Sequence, residues 1–238
     1  MANLGDVLVA ADPSSLAKFA ARLLAGAVAE AIVARGVARI ALSGGSTPTA
    51  MLRELTTMDV PWAKVEVFWV DERAVPPSSE RSNYGVAKAA LFGRLAAPPR
   101  ALCAMPGAAP DLDAAARSYA EVLARSFGGS PGSLDLVLLG VGDDGHTASL
   151  FPGDGAIDVV DRSVTHVAAC GDREARLTLT RPTITAARRV FVLAQGASKR
   201  APIARARSAG PLEQVPARLT QEVRGELVWL LDRAAAEA

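Results

Sequence analysis

The sequence has no long apolar segment, although half of its 238 residues are hydrophobic. A membrane-spanning helix needs about 20 predominantly apolar residues, and the longest candidate, residues 16–33, is interrupted by Lys18, Arg22 and Glu30. The amino terminus also lacks the basic segment, apolar core and cleavage site of a secretory signal. We therefore expect a cytoplasmic protein that does not bind a membrane.

Neither charge is in excess, because 26 basic residues are balanced by 25 acidic ones. Nucleic-acid-binding domains normally carry a basic face, so we expect no nucleic-acid partner. Cysteine and histidine are scarce, with two of each. Cys103 and Cys170 match no paired metal or redox spacing, and we expect both to be buried, reduced thiols. So few potential ligands disfavour a zinc site, and we expect no metal.

Segments typical of strands alternate with segments typical of helices. Asp12 and Pro13 are favourable residues for starting a helix and Gly36 for ending it, so a helix is predicted over residues 13–35. Strands are predicted over residues 6–10, 39–42, 65–70, 134–139, 165–169, 190–194 and 227–231, and further helices over about 48–57, 84–95 and 113–127. The alternation predicts one α/β domain over residues 1–238, with an open, mainly parallel sheet flanked by helices.

Three polar motifs directly follow predicted strands. They are SGGSTP at residues 43–48, DER at 71–73 and GVGDDGH at 140–146. In open parallel sheets, ligands bind outside the carboxyl ends of the strands. We therefore expect the three motifs to share one site.

The third motif has more than one interpretation. Gly140, Gly142 and Gly145 satisfy the G-x-G-x-x-G pattern of a dinucleotide-binding loop. The two aspartates between the last glycines would, however, place negative charge beside a pyrophosphate, where a helix amino terminus is meant to attract anions. A purely structural glycine turn is a second alternative. We favour a third, in which the turn presents His146 at the amino terminus of a short helix.

A histidine at this position suits acid–base chemistry. Histidine has an ordinary pKa of about 6.5, close to the value a general base needs near neutral pH. The positive end of a helix would further favour the neutral form. Because no obvious nucleophile is present, His146 is predicted to activate water. His166 lies in an alternating strand and is expected to be a packed or surface residue.

Residues 43–48 have the character of a phosphate cradle. Two glycines let the backbone approach an anion, and hydroxyl and N–H groups can bind its oxygens. The alternative is a plain helix start, with Thr47 as the N-cap and Pro48 opening the helix. A phosphate also attracts cations, and Arg73, Arg176 and Lys199 are candidates unless they are solvated surface residues.

Longer motifs carry a family resemblance. They are SGGSTP at 43–48, VFWVDERAVPPSSERSNYG at 67–85 and LLGVGDDGHTASLFPG at 138–153, with weaker echoes in RLTLT at 176–180 and GASK at 196–199. In order and spacing they resemble the lactonases of the glucosamine-6-phosphate isomerase/6-phosphogluconolactonase family. The related deaminases have D-E-Y where this chain has Asp71-Glu72-Arg73, and a segment ending in E-P where it has residues 149–152. Both differences indicate the lactonase branch, and Arg200 departs from the small residue expected after Lys199.

The resemblance implies a Rossmann-like fold and hydrolysis of 6-phospho-D-glucono-1,5-lactone to 6-phosphogluconate in the oxidative pentose phosphate pathway, without a cofactor. We expect His146 to be the base, with no covalent intermediate, and Asp144 to orient it. Arg73 is expected to stabilise the oxyanion or bind sugar hydroxyls. Asp71 is expected to bind those hydroxyls or hold Arg73, unless the two form only a structural ion pair. The residues assigned to the phosphate are Ser43, Gly44, Gly45, Thr47, Arg176 and Lys199.

The expected partner is the small phosphosugar lactone, and the expected assembly is a monomer or weak homodimer. Three other functions stay open at this point. They are a sugar-phosphate deaminase or isomerase, a non-catalytic phosphosugar sensor and a nucleotide-dependent oxidoreductase.

Overall fold

The computed structural model describes residues 2–128 and 133–237. Its main sheet has seven parallel strands: β1 (Asp6–Ala10), β2 (Ala38–Leu42), β3 (Val65–Trp69), β5 (Ala101–Cys103), β6 (Leu136–Leu139), β9 (Arg189–Ala194) and β10 (Glu226–Asp232). A second sheet has three antiparallel strands, β4 (Asp71–Arg73), β7 (Val164–Val167) and β8 (Arg176–Leu179). The parallel main sheet confirms the predicted fold class. Residues 129–132, part of a turn predicted from glycine and proline, lie outside the described residues.

Seven α-helices connect and cover the strands in the described ranges. They are α1 (Pro13–Arg35), α2 (Ser46–Glu54), α3 (Asn83–Ala90), α4 (Leu112–Ser126), α5 (Arg181–Thr185), α6 (Arg200–Arg207) and α7 (Arg233–Ala236). Short 3-10 turns at Leu55–Thr57 and Phe92–Arg94 follow α2 and α3, which is why the sequence pattern predicted longer helices there. None of the helices in the described ranges has both the length and the apolar character that crossing a bilayer requires.

Helix α1 begins and ends as its sequence predicts. The Asp12 carboxylate accepts a hydrogen bond from the Ser15 N–H at 2.8 Å, and Pro13 opens the helix. Gly36 ends it in the left-handed region at φ 75°, where a residue without a Cβ is favoured. The helix buries leucine and alanine side chains, among them Leu16 and Leu24, against the sheet.

The core is built on strands that are buried on both faces. Every residue of β6 is buried, as are all residues of β10 except Glu226 at its start. Strands of this kind read as continuous apolar runs because helices cover both sides of a parallel sheet. Cys103 is half-buried and packs against this core from β5, whereas Cys170 is exposed. The expectation of a buried thiol is therefore wrong for Cys170, which lies in a turn outside the sheets, and holds only in part for Cys103.

The strand order places a crevice between β2 and β6. The order is β1-β10-β9-β6-β2-β3-β5, so the chain proceeds from β2 toward β3 on one side and from β6 toward β9 on the other. The loops that follow two such strands run in opposite directions and leave a crevice between them at the carboxyl ends of the strands, where ligands bind. The loops after β2 and β6 are the SGGSTP and GVGDDGH motifs.

Candidate active site

A cavity of about 250 Å³ opens at this crevice. Its walls are formed by Ser43, Gly44, Gly45, Asp71, Arg73, Asn83, Gly140, Val141, Gly142, His146, Ala148, Arg176 and Lys199. The cavity thus contains His146 together with the glycine turn after β2 and all three candidate cations. Of the residues predicted for the site, Thr47 and Asp144 are absent from the wall, and Asp144 contacts His146 directly.

The imidazole of His146 is held by Asp144. One carboxylate oxygen of Asp144 lies 2.6 Å from Nδ1 of His146 and accepts its backbone N–H at 3.0 Å. A carboxylate acceptor selects the tautomer with the proton on Nδ1, which leaves the Nε2 lone pair available to the cavity. Partial burial acts to raise the pKa of Asp144, but the hydrogen bonds and charge of His146 outweigh it and lower the pKa below its ordinary value.

The loop that carries His146 is a compact turn, and no helix begins there. The Gly142 N–H donates to the His146 carbonyl at 2.8 Å, and the Gly145 N–H donates to the Gly142 carbonyl at 3.0 Å. A single antiparallel bridge then pairs Thr147 with Leu150, and Ala148 adopts a left-handed φ of 52°. The prediction that His146 starts a short helix is therefore wrong, because an L residue at this φ cannot continue a right-handed helix.

Residue 142 must be a glycine because the His146 imidazole occupies the space that a side chain would need. A Cβ on this residue would stand 2.1 Å from both Cε1 and Nδ1 of His146 and 2.8 Å from Oδ1 of Asp144. Gly145 in turn has φ 92° and lies against Val215. The glycine spacing is thus explained by packing around a histidine, which favours the histidine interpretation over a dinucleotide loop.

The turn after β2 leads into α2. Gly45 is the N-cap residue with φ 111°, and no side chain caps the helix. Thr47 is the second residue of α2, so its predicted role as the N-cap is wrong: the N-cap is Gly45, two residues earlier. The Ser43 hydroxyl donates to the Leu138 carbonyl at 2.7 Å, so its proton is not free for a ligand. The first N–H groups of the helix have no intrahelical acceptor and suit an anion.

Asp71 and Arg73 lie on β4, which the sequence pattern did not predict. Asp71 is 5% exposed, and its carboxylate accepts hydrogen bonds from the Ser149 hydroxyl at 2.7 Å and the Asn83 side-chain amide at 3.3 Å. Within the described residues, the guanidinium that comes within 4.0 Å of Asp71 is that of Arg176. Arg73 instead donates to the Arg81 carbonyl at 2.5 Å. The proposed Asp71–Arg73 pair is therefore replaced by a weaker Asp71–Arg176 contact.

The cavity carries a concentrated positive charge. Arg73 and Arg176 are directly opposite one another in the β4–β8 pairing. Burial lowers the pKa of Arg176, and the nearby Arg73, Arg173 and Arg81 lower it further, while Asp71 acts in the opposite direction. A guanidinium whose charge is disfavoured by its surroundings gains from a bound anion.

Lys199 lies at the cavity in a 3-10 turn before α6. Its ammonium donates to the Asp143 carboxylate at 2.7 Å, and Arg205 donates to the Asp143 carbonyl at 2.6 Å. Lys199 and Arg205 thus join the loop of His146 to the start and the last turn of α6. His166 lies away from the cavity with a side chain that is 44% exposed, which confirms the surface alternative.

Sequence reasoning missed several residues of the site. Asn83 lines the cavity through α3, and its side-chain oxygen approaches Gly44 so closely that a Cβ there would overlap it. Ser149 and Phe151 lie behind Asp71 and His146. All three fall within the longer motifs, but only their partners in the fold distinguish them from neighbouring residues.

Comparisons with known proteins show the family of the chain. The family model for glucosamine-6-phosphate isomerases/6-phosphogluconolactonase matches residues 11–229. A 6-phosphogluconolactonase of Synechocystis sp. is 43% identical over 215 residues, 88% of each chain. The structure of 6-phosphogluconolactonase from Trypanosoma cruzi has a TM-score of 0.88 at 27% identity and covers 99% of this chain and 97% of its own. A monomeric glucosamine-6-phosphate deaminase, 23% identical with a TM-score of 0.81 and covering 97% of this chain and 98% of its own, shares the fold. The chain therefore belongs to the glucosamine-6-phosphate isomerase/6-phosphogluconolactonase family.

Proposed function

We propose that this protein hydrolyses 6-phospho-D-glucono-1,5-lactone to 6-phosphogluconate, as the names of its relatives suggest. The observation that carries the proposal is the shared cavity: a histidine held by a carboxylate faces the same space as a glycine turn and two opposed arginines. This combination provides a base for one end of a substrate and an anion site for the other. The relatives that match as lactonases support the choice of substrate.

The phosphate binds at the glycine turn and the arginines. Gly44 and Gly45 bring backbone N–H groups to the cavity at the positive end of α2. Arg176 adds a poorly solvated guanidinium with three other arginines nearby, and Lys199 can exchange its bond to Asp143 for a phosphate oxygen. Ser43 contributes its backbone, because its hydroxyl already donates to Leu138.

Hydrolysis takes place at the other end of the bound sugar. The Nε2 of His146 accepts a proton from water while the water oxygen attacks C1 of the lactone. The tetrahedral oxyanion then collapses, the bond from C1 to the ring oxygen breaks, and that oxygen takes the proton back from Nε2. Asp144 stabilises the transient imidazolium through Nδ1. General-base catalysis contributes roughly 10²–10⁴-fold, so no covalent intermediate is needed for a reactive ester.

Asp71 and Arg73 act on the sugar between these ends. The buried Asp71 carboxylate, fixed by Ser149 and Asn83, accepts hydrogen bonds from sugar hydroxyls. Arg73 supplies positive charge to the developing oxyanion or to the phosphate, since it faces Arg176 across the strand pair.

The remaining expectations are proposals of the same kind. We propose that the chain works as one domain, as a monomer or weak homodimer, in the cytoplasm, and without nucleic acid, metal or organic cofactor. The balanced charge supports the absence of a nucleic-acid partner.

The test is a direct assay of the lactone. Glucose-6-phosphate dehydrogenase generates the lactone, and its disappearance is followed with and without the protein, because such lactones also open spontaneously. His146→Ala should lower turnover by at least about 10²-fold while 6-phosphogluconate still binds, and His166→Ala should behave as the wild type. Turnover of glucosamine 6-phosphate, or binding of 6-phosphogluconate without lactone turnover, would contradict the proposal.

A further inference from the structure

The imidazole of His146 is enclosed by more than Asp144. The ring of Phe151 lies against it, with centroids 4.6 Å apart and planes tilted by 41°. Gly142 closes another side, since no Cβ fits there. Phe151 is 7% exposed and is not part of the cavity wall. It therefore contacts the histidine and does not reach the substrate.

The Phe151 ring is in turn packed against Arg173. The guanidinium carbon of Arg173 stands 3.8 Å from the centroid of the Phe151 ring, a favourable cation–π distance. Arg173 lies 3.6 Å from the Asp154 carboxylate, and its backbone forms two hydrogen bonds of 3.0 Å with Cys170. Like Phe151, Arg173 is absent from the cavity wall. An unbroken stack thus runs from the anchored arginine through the phenyl ring to the histidine.

A hydrogen bond at Nδ1 alone does not fix the plane of an imidazole. The torsion that turns a histidine ring has broad minima, so the ring can pivot about its bond to Asp144 and turn Nε2 away from the cavity. A flat aromatic neighbour removes this freedom through packing. We infer that Phe151, supported by Arg173, is a positioning residue for His146; for the catalytic role of that histidine the inference rests on the proposed function.

The first arm of the test measures rates. Phe151→Leu should lower kcat by about tenfold, because ångström-scale misplacement of a catalytic group is costly. KM should change less than kcat, because the Arg176 guanidinium, 5.6 Å from the centroid of the Phe151 ring, keeps its place in the β4–β8 pairing. Arg173→Gln should lower kcat by a smaller factor, and the double variant should lose less than the product of the two, because both act through one ring. Arg173→Gln leaves the apolar core intact, so it keeps the test open if Phe151→Leu fails to fold.

Two matched controls separate positioning from general packing. Phe191→Leu removes an equally buried phenyl ring from β9, and Arg188→Gln removes a guanidinium that pairs with Asp135 away from the cavity. Both should keep the wild-type kcat. A wild-type kcat in Phe151→Leu, or an equal loss in Phe191→Leu, would overturn the inference.

The second arm does not depend on activity. The chain has only two histidines, so ring ¹⁵N NMR signals report on His146 with His166 as an internal control. In the wild type, the His146 signals should show a single Nδ1-protonated tautomer. Phe151→Leu should keep that tautomer, because the bond to Asp144 persists, but it should shift and broaden the His146 signals as the ring samples several orientations, and it should leave the His166 signals unchanged. Unchanged His146 signals would refute the positioning role. If the wild type does not hydrolyse the lactone, the proposed function is wrong. The NMR measurement then tests by itself whether Phe151 positions His146.

Discussion

Replacing Gly142 by alanine tests the placement of the histidine most directly. The added Cβ would stand 2.1 Å from Cε1 and Nδ1 of His146, whereas ordinary van der Waals contact begins at 3.4 Å. The ring must therefore move by about 1.3 Å, since the added Cβ is bonded directly to the backbone of a hydrogen-bonded turn that cannot easily shift. Gly142 is not in the left-handed region, so alanine fits its backbone conformation and the perturbation falls on the imidazole and Asp144.

The size of the effect follows from that displacement. A misplacement of about 1 Å can cost on the order of 10²-fold in rate, which corresponds to about 2.7 kcal/mol in the barrier. We expect kcat to fall by about this factor and KM to stay within about twofold, because the glycine turn after β2 and Arg176 are unchanged. Initial rates with freshly generated lactone give both constants, and urea denaturation gives the free energy of unfolding.

The control is Gly26→Ala in α1, where a Cβ meets no atom within 4 Å. It should keep the wild-type rate and stabilise the helix by up to about 1 kcal/mol. A wild-type kcat in Gly142→Ala, or a loss confined to KM, would show that the imidazole in this pose is not the rate-determining base.

Three further outcomes are expected. Arg176→Gln should raise KM and the inhibition constant of 6-phosphogluconate, with a smaller effect on kcat, in steady-state kinetics. Asp144 has a lowered pKa in the folded protein, so its stabilising contribution is complete above its unfolded pKa of about 3.9 and is lost as pH falls through the lower folded value. The stability difference between wild type and Asp144→Asn should accordingly shrink below about pH 4 in thermal unfolding. The buried Tyr119 hydroxyl accepts the Trp69 N–H at 2.9 Å and donates to the Cys103 carbonyl at 2.8 Å, so Tyr119→Phe should lower the free energy of unfolding by about 1–3 kcal/mol in urea.

Local signals made much of the fold predictable. Helix α1 has a capping aspartate, an opening proline and a terminating glycine, and its observed bounds are those predicted. The predicted strands are short apolar runs, and each was found within two residues at either end, although the one predicted at 165–169 lies in the second sheet. Strand β5 of the main sheet was not predicted. Placing three motifs at the carboxyl ends of strands was enough to bring Ser43, Arg73 and His146 into one cavity.

Non-local pairing accounts for what could not be predicted. Strand β4 has only three residues, which is too short for an alternating apolar pattern to show in the sequence. It is a strand because Asp71 pairs with Thr178, more than a hundred residues later. Asn83 joins the site because Glu72, a buried carboxylate, accepts its backbone N–H at 2.8 Å. The helix predicted at His146 failed for a local reason, the left-handed Ala148, which no rule for alanine anticipates.

The two adjacent acids of the histidine loop show why its glycine pattern is not a nucleotide fingerprint. Asp143 is mostly exposed and binds Lys199 with its side chain and Arg205 with its carbonyl. Asp144 turns to the other side and holds the imidazole. A pyrophosphate loop needs unoccupied N–H groups at a helix start, whereas here the Gly142 and Gly145 N–H groups are bound within the turn. The same glycine spacing therefore has a different physical role here. It forms a tight turn in which Asp144 orients the His146 imidazole, while Asp143 links the loop to α6 through Lys199 and Arg205.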